Sequence, residues 1–349
     1  MPHDNLTNSA GEAAFFVSPD IGRVKVAARL RKPDRGCGLG LPASNGLSHR
    51  AALPDPFADP RCAQLRDLQR RRRFCIKTQS RGDRACESYV AMALGAGGLP
   101  KGAREQVYKR AALLRSIVAH ELAGNHDKAD KALAKLTPSE VDTLAREQAV
   151  MALNEQTRQP WDRIRKDIEK EMRRIARTLP AWPFVESVAG ASDLGLAVIV
   201  GEAGDPTAYR DKHNLFKRLG IGVVDGVRQG NPGPNASADD WTRHGLNKQR
   251  KAEMFTFFYD AMLRAQWRAD IKDDEGEVIA PTHPIGPYGE AYQRYKAMYV
   301  ERGHKYPDRV ARRRMTQDFI RDVRNAWRVG LSKCADNGPS ALAALHAAE

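Results

Sequence analysis

Apolar positions recur at spacings of three and four along most of this chain from residue 58 onward, a pattern that predicts helices rather than strands. The stretch "PRCAQLRDLQRRRRFCIKTQSRGDRACESYVAMALG" places Leu65, Leu68, Cys75, Ile76, Cys86, Tyr89 and Val90 near one face, with Arg70, Arg71, Arg72 and Arg73 around the others. Gly82 weakens this helix without ending it. A second helix runs from about 102 to 122 and closes at "AGNHD". The clearest start signal is "TPSE": Thr137 is the N-cap, Pro138 the first helical residue, and Glu140 returns a bond to the cap amide. Beyond Pro160, Trp161, Ile164, Ile168, Met172, Ile175 and Leu179 form one stripe with basic residues between them. That stripe predicts an amphipathic helix with a coiled-coil seam, stopped by Pro180 and Pro183.

Further on, the pattern predicts a short helix over 211–219, a Gly-rich loop over 220–236, and one helix from a cap at Ser237 or Asp239 to about 269. An acidic turn, "DIKDDEGE", then leads to "EAYQRYKAMYVERG" and a last basic helix. Residues 1–57 show no sustained period and read as a mostly disordered basic arm, with one short strand around Val24 to Ala27. The predicted fold is mainly α. Its regions are the arm at 1–57, a helical, coiled-coil-like region at 58–180, an α-helical domain at 181–330 and a frayed tail at 331–349.

Charge narrows the function classes. A formal net charge of +14 over 349 residues and a pI near 9.7 favour a polyanionic partner, nucleic acid (DNA or structured RNA) first and an anionic membrane surface second. No apolar stretch approaches the ~18 residues that span a bilayer, so no membrane partner is expected. The cysteines (Cys37, Cys62, Cys75, Cys86, Cys334) are scattered without a C-x-x-C pair, which fits a reducing cytoplasm and argues against a disulfide scaffold or a zinc module.

Residues 187–206, "SVAGASDLGLAVIVGEAGDP", form an uncharged turn and an apolar run between two basic stretches. They predict a helix-hairpin-helix: a helix end at Phe184–Val188, a turn at Ala189–Ser192, and a second helix at Asp193–Glu202. Gly190 tolerates a positive φ, and the first amides of a helix have no partners within it. Val188, Ala189, Gly190, Ala191 and Ser192 are therefore the candidate contacts to a nucleic-acid phosphate. The other candidates are cations: the run Arg70–Arg73, Lys217 and Arg218, and Arg243, Lys248 and Arg250 in "RHGLNKQRK".

From Val188 to Ile221 the chain resembles the C-terminal part of the insertion-sequence-110 family of transposases. Gly190, Ala197, Glu202, Gly204, Asp205, Tyr209, Leu215, Gly220 and Ile221 fall without a gap on that family's hairpin, alanine-rich helix, Glu-Ile-Gly-Asp, aromatic and closing positions. Similarity is strongest over about 184–250 and continues more loosely to about 328. The resemblance implies DNA binding, transposition, and a RuvC-like N-terminal nuclease whose acidic residues hold metal. Asp20 in "VSPDIGRVKV" is the counterpart of the first acid; the others have no visible counterpart, so Mg²⁺ is expected only if such a centre exists, and no other cofactor is evident. The family's hairpin Pro and second Gly are Ala189 and Ser192 here, and its Ser-Gly nucleophile position holds Gln229-Gly230.

Two further readings stay open: a catalytically inert nucleic-acid-binding regulator or relic, and a helical assembly protein that self-associates through its coiled coil. Tyr288, Tyr292, Tyr295 and Tyr299 share one stripe and read as packing, since no H-x-x-R segment accompanies them as a tyrosine recombinase requires. His283 reads as a loop residue. "GVRQGNPGPNAS" lacks the spacing of a nucleoside-triphosphate loop.

Overall fold

A computed structural model describes residues 54–336, apart from 231, 234, 269, 270, 274, 281 and 282, and is mainly helical. Its frame is a pair of long helices. Helix α1 (Pro60–Ala93) begins where the Asp59 carboxylate accepts the Arg61 amide at 2.8 Å, and Pro60 presets the first turn. After α2 (Lys101–Leu122) and α3 (His126–Leu133) comes α4 (Pro138–Ala176), opened by the expected capping box: Glu140 accepts the Thr137 amide at 2.8 Å. Gln64–Glu171, Gln79–Asp162 and Asp83–Asn154 link α1 to α4 in opposite chain senses, so the two are antiparallel. Val90, Leu114, Val118 and Met151 form a smaller core where α2 covers the end of this pair.

Pro160 lies inside α4 rather than at its border. The ring removes one helical hydrogen bond at a point where Pro160 and Gln156 are both exposed. Bonds to α1 on either side of the proline hold the helix in one piece. Of the stripe expected to form a coiled-coil seam, Met172, Ile175 and Leu179 pack in one core with Cys62, Leu65 and Leu196, while Ile164 is exposed.

Helices α5 (Trp182–Ser187) and α6 (Asp193–Ala203) make the predicted hairpin. Every residue of α6 from Leu194 to Ala203 is buried, which explains its uninterrupted apolar run: it is a central rod with neighbours on all sides. The core around it extends to Phe258, Phe319 and Trp327, so the boundary expected near residue 180 runs through a continuous core. Residues 54–57, assigned to the arm, are also attached: the Pro56 carbonyl accepts the Asp205 amide at 2.7 Å, and Phe57 packs against the core. The rest of the expected arm, including Asp20 and the Val24–Ala27 strand, and the tail beyond 336 lie outside the described residues.

Helix α7 (Lys212–Leu219) is capped by Asp211 and ends at Gly220 in the left-handed region. A two-stranded hairpin, β1 (Val223–Val224) and β2 (Val227–Arg228), occupies the Gly-rich loop. The single helix expected after Ser237 is broken. Ser237 does cap α8 (Ala238–His244), but the chain turns at Gly245, whose carbonyl accepts the Gln229 side chain at 3.0 Å, and Asn247 caps a fresh helix, α9 (Lys248–Met254). A π-helical segment (Phe255–Met262) and the short α10 (Leu263–Ala265) follow. Strands β3 (Trp267–Arg268) and β6 (His283–Pro284) pair, as do β4 (Ile271–Lys272) and β5 (Val278–Ala280).

The last two helices, α11 (Pro287–Glu301) and α12 (Pro307–Asp336), pack through the tyrosine stripe. Tyr288 donates to Asp322 at 3.0 Å, Tyr295 to Asp318 at 2.7 Å and Tyr292 to Asp308, while Tyr299 accepts from Arg314 at 3.3 Å. Burial and the adjacent carboxylates raise the pKa values of Tyr288, Tyr292 and Tyr295, as expected of phenols that only donate. No helix among the described residues is long and apolar enough to cross a membrane.

Candidate nucleic-acid interface

The hairpin bend has the predicted shape, with the amides of Ala191, Leu194 and Gly195 already engaged. Gly190 takes φ +79°, and a Cβ there would collide with Ala265 and come within 3.0 Å of Met262 Cα, so one side of the bend rests on the end of the π-helical segment. Gln266, itself buried, donates to the Ala189 carbonyl at 2.8 Å and fixes the turn. Ala189 and Gly190 are exposed, Ala191 and Ser192 partly so, and Val188 is buried. At the start of α6, Ser192 Oγ accepts the Gly195 amide at 3.0 Å, and Asp193 Oδ1 accepts the Leu194 amide at 2.8 Å. The Asp193 carboxylate in turn receives Arg177 at 2.7 Å and lies 3.8 Å from Arg173. A side chain of the protein thus occupies the place where a phosphate was expected, stabilised by the helix N-terminus and by two arginines.

Several of the candidate cations are likewise absorbed by the fold. Glu202, 4% exposed, accepts from Arg73 at 2.9 Å, Gln69 at 3.1 Å and Arg250 at 2.8 Å, while Arg218 donates to its carbonyl at 3.2 Å. Arg72 is buried between Glu169 (2.8 Å) and Glu253 (3.1 Å). These groups tie α1, α4, α6 and α9 together, which is a buried and well-partnered use of charge. Of the remaining candidates, Arg71 pairs with Asp67 at 2.6 Å on the exposed side of α1, and Arg243 pairs with Asp225. Arg70 and Lys248 are exposed, and Lys217 is half-buried.

The same stretch answers what "GEAGDP" is for. Gly204 ends α6 at φ +76°, ψ −152°, a region open to glycine alone, and a Cβ there would strike the Pro56 carbonyl. Asp205 accepts the Thr207 amide and hydroxyl, each at 2.7 Å, and Tyr209 donates to the Ala203 carbonyl at 2.6 Å. Glu202, Gly204, Asp205 and Tyr209 therefore build the exit from the central rod.

A denser positive site lies elsewhere, at residues the sequence did not single out. A cleft of about 440 Å³ is lined by Arg228 of β2, Lys251 of α9, Phe255 and Tyr259 of the π-helical segment, and Asp308, Arg309, Arg312 and Arg313 of α12, with Gly220 at its wall. Asp308 is matched to Arg312 at 2.9 Å, and Arg309 lies over the Tyr306 ring. Among the described residues, Arg228, Lys251 and Arg313 have no carboxylate partner, and the Arg313 Nε is buried without a hydrogen bond. Burial first, and then the Arg228 and Arg313 charges, hold the Lys251 pKa below the usual ammonium range; burial likewise lowers that of Arg313, with Arg314 and Arg228 adding to it. Three cations that repel one another in a partly dry cleft are suited to hold an anion, because a bound anion would remove both penalties.

The position matched to the family's nucleophilic serine is structural here. Gln229 is 2% exposed; its Oε1 accepts the Gly222 amide at 3.0 Å and its Nε2 donates to the Gly245 carbonyl at 3.0 Å. Among the described residues, no group of three or more His, Cys, Asp or Glu side chains is placed to hold a metal ion. Cys62, Cys75 and Cys86 are free and buried. Comparison with protein-family models, with curated proteins and with solved structures finds no match for this chain.

Proposed function

We propose that this chain is a nucleic-acid-binding protein that works in, or descends from, DNA transposition, and that it grips the sugar-phosphate backbone at the cleft formed by Arg228, Lys251 and Arg313. The observation that carries this reading is the convergence of those three cations, from three separate elements, on one concave site whose carboxylate, Asp308, is taken by Arg312 and Tyr292. The net charge of +14 supports it, as does the sequence resemblance from Val188 to Ile221. Exposed Lys248, on the same helix as Lys251, extends the contact, whereas Arg72, Arg73 and Arg250 serve the fold.

Gln229 favours a second version, a binding regulator without strand-transfer chemistry. Both ends of its amide are used to join the β1–β2 loop to Gly245, which leaves no hydroxyl nucleophile at that position. Incubating the full chain with Mg²⁺, a labelled duplex and structured RNA, and scoring both complex formation and strand joining, separates the versions. Complexes with joined products support a transposase, complexes without them a regulator, and no complex at all refutes both.

A further inference from the structure

Phe255 is 51% exposed, and it stands at the lip of the Arg228–Lys251–Arg313 cleft. Its ring lies 5.4 Å from that of Tyr259, tilted by 52°, and Tyr259 is buried. Both residues lie on the π-helical segment, where positions four apart share one face, so the inner ring braces the outer one. An aromatic face held open to solvent beside unmatched cations is the arrangement that binds an unpaired nucleotide, with the base on the ring and the phosphate among the cations. A volume of about 440 Å³ falls in the range of small-molecule sites and suits one nucleotide, while a stacked duplex keeps its base faces covered.

We propose that this cleft binds single-stranded nucleic acid in preference to duplex, stacking an unpaired base on Phe255 while Arg228, Lys251 and Arg313 hold the adjoining phosphate. The proposal rests on the nucleic-acid-binding reading above and adds the class of strand. It separates two roles: Arg313 acts on any phosphate, whereas Phe255 acts only where a base is free to leave its stack.

The test uses the full chain and fluorescence anisotropy at one fixed salt concentration, with labelled single-stranded DNA, single-stranded RNA and duplex DNA of the same sequence and length. The wild-type protein should prefer at least one of the single strands to the duplex. Phe255→Ala should weaken single-strand binding by about 5- to 100-fold, as expected for loss of one stacked base, and Phe255→Trp should restore it. Arg313→Gln should weaken binding to single strand and duplex alike. Thermal melting of each variant checks folding, and the exposure of Phe255 predicts an unchanged midpoint for its variants. Equal affinity for single strand and duplex, or a Phe255→Ala protein that binds single strands as the wild type does, would overturn the stacking proposal while leaving backbone binding intact. Failure of all three probes to bind would overturn the parent reading as well.

Discussion

Arg73 of α1 and Glu202 of α6 pair at a buried carboxylate, with Nη1 2.9 Å from Oε1, where the sequence suggested a cation free for nucleic acid. Because Gln69 and Arg250 converge on the same buried carboxylate, its removal leaves two partly buried cations without their partner. Glu202→Ala is therefore expected to cost about 3–5 kcal/mol, enough to lower the thermal midpoint by on the order of 10 °C. Differential scanning calorimetry of the variant measures this; a shift of less than a degree or two would mean that the network does not hold the fold.

The run Arg70–Arg73 should divide into two behaviours. Arg72→Ala removes a buried group held by Glu169 and Glu253 and should destabilise the protein by about 3–5 kcal/mol. Arg70→Ala, at an exposed position, should stay within about 0.5 kcal/mol. Urea unfolding of both variants is the check, and equal effects would contradict the placement of these side chains.

That division shows where sequence reading stops. Successive helical residues are rotated by about 100°, so a run of four arginines must point in several directions, and one of them faces the interior unless the helix is isolated. Which one finds a carboxylate depends on partners 97, 129 and 181 residues away. The Thr137 cap and the tyrosine stripe were legible because each follows from local spacing. The hairpin bend was legible too, through Gly190 and the breaks around it. Its filled amide sites were not, since they depend on Asp193 turning back on its own helix and on Arg177 reaching it from α4. The Arg228–Lys251–Arg313 cleft was invisible for the same reason: each cation is unremarkable in its own segment.

Gly204 should be intolerant of any side chain. Its φ and ψ lie in a region that costs other residues about 1–3 kcal/mol, and the added Cβ also collides with the Pro56 carbonyl. Gly204→Ala should lower the thermal midpoint and release residues 54–57, which limited proteolysis reads directly. A variant as stable and as resistant as the wild type would contradict the docking of this segment.

Glu140 supplies a pH-dependent contribution. Hydrogen bonds from Arg110, one of them 2.6 Å long, hold its pKa down to about 2, against burial, which acts to raise it. A carboxylate whose folded pKa is depressed stabilises the native state fully above its unfolded pKa, near 4.5, and loses that contribution as the pH falls toward 2. Glu140→Gln should therefore destabilise the protein by about 1–3 kcal/mol at pH 7, and the difference from wild type should shrink steadily between about pH 5 and pH 2. Unfolding followed across that range tests it; a pH-independent difference would point to packing instead.

The most direct measurement is the salt dependence of nucleic-acid affinity for the wild type beside a triple variant, Arg228→Gln, Lys251→Gln and Arg313→Gln. Because the three cations share one phosphate, the slope of log affinity against log salt should be steeper in the wild type by roughly one, with the variant at least tenfold weaker at low salt while melting at the same temperature or higher. Identical slopes and affinities in the two proteins would contradict the assignment of this cleft as the anion site.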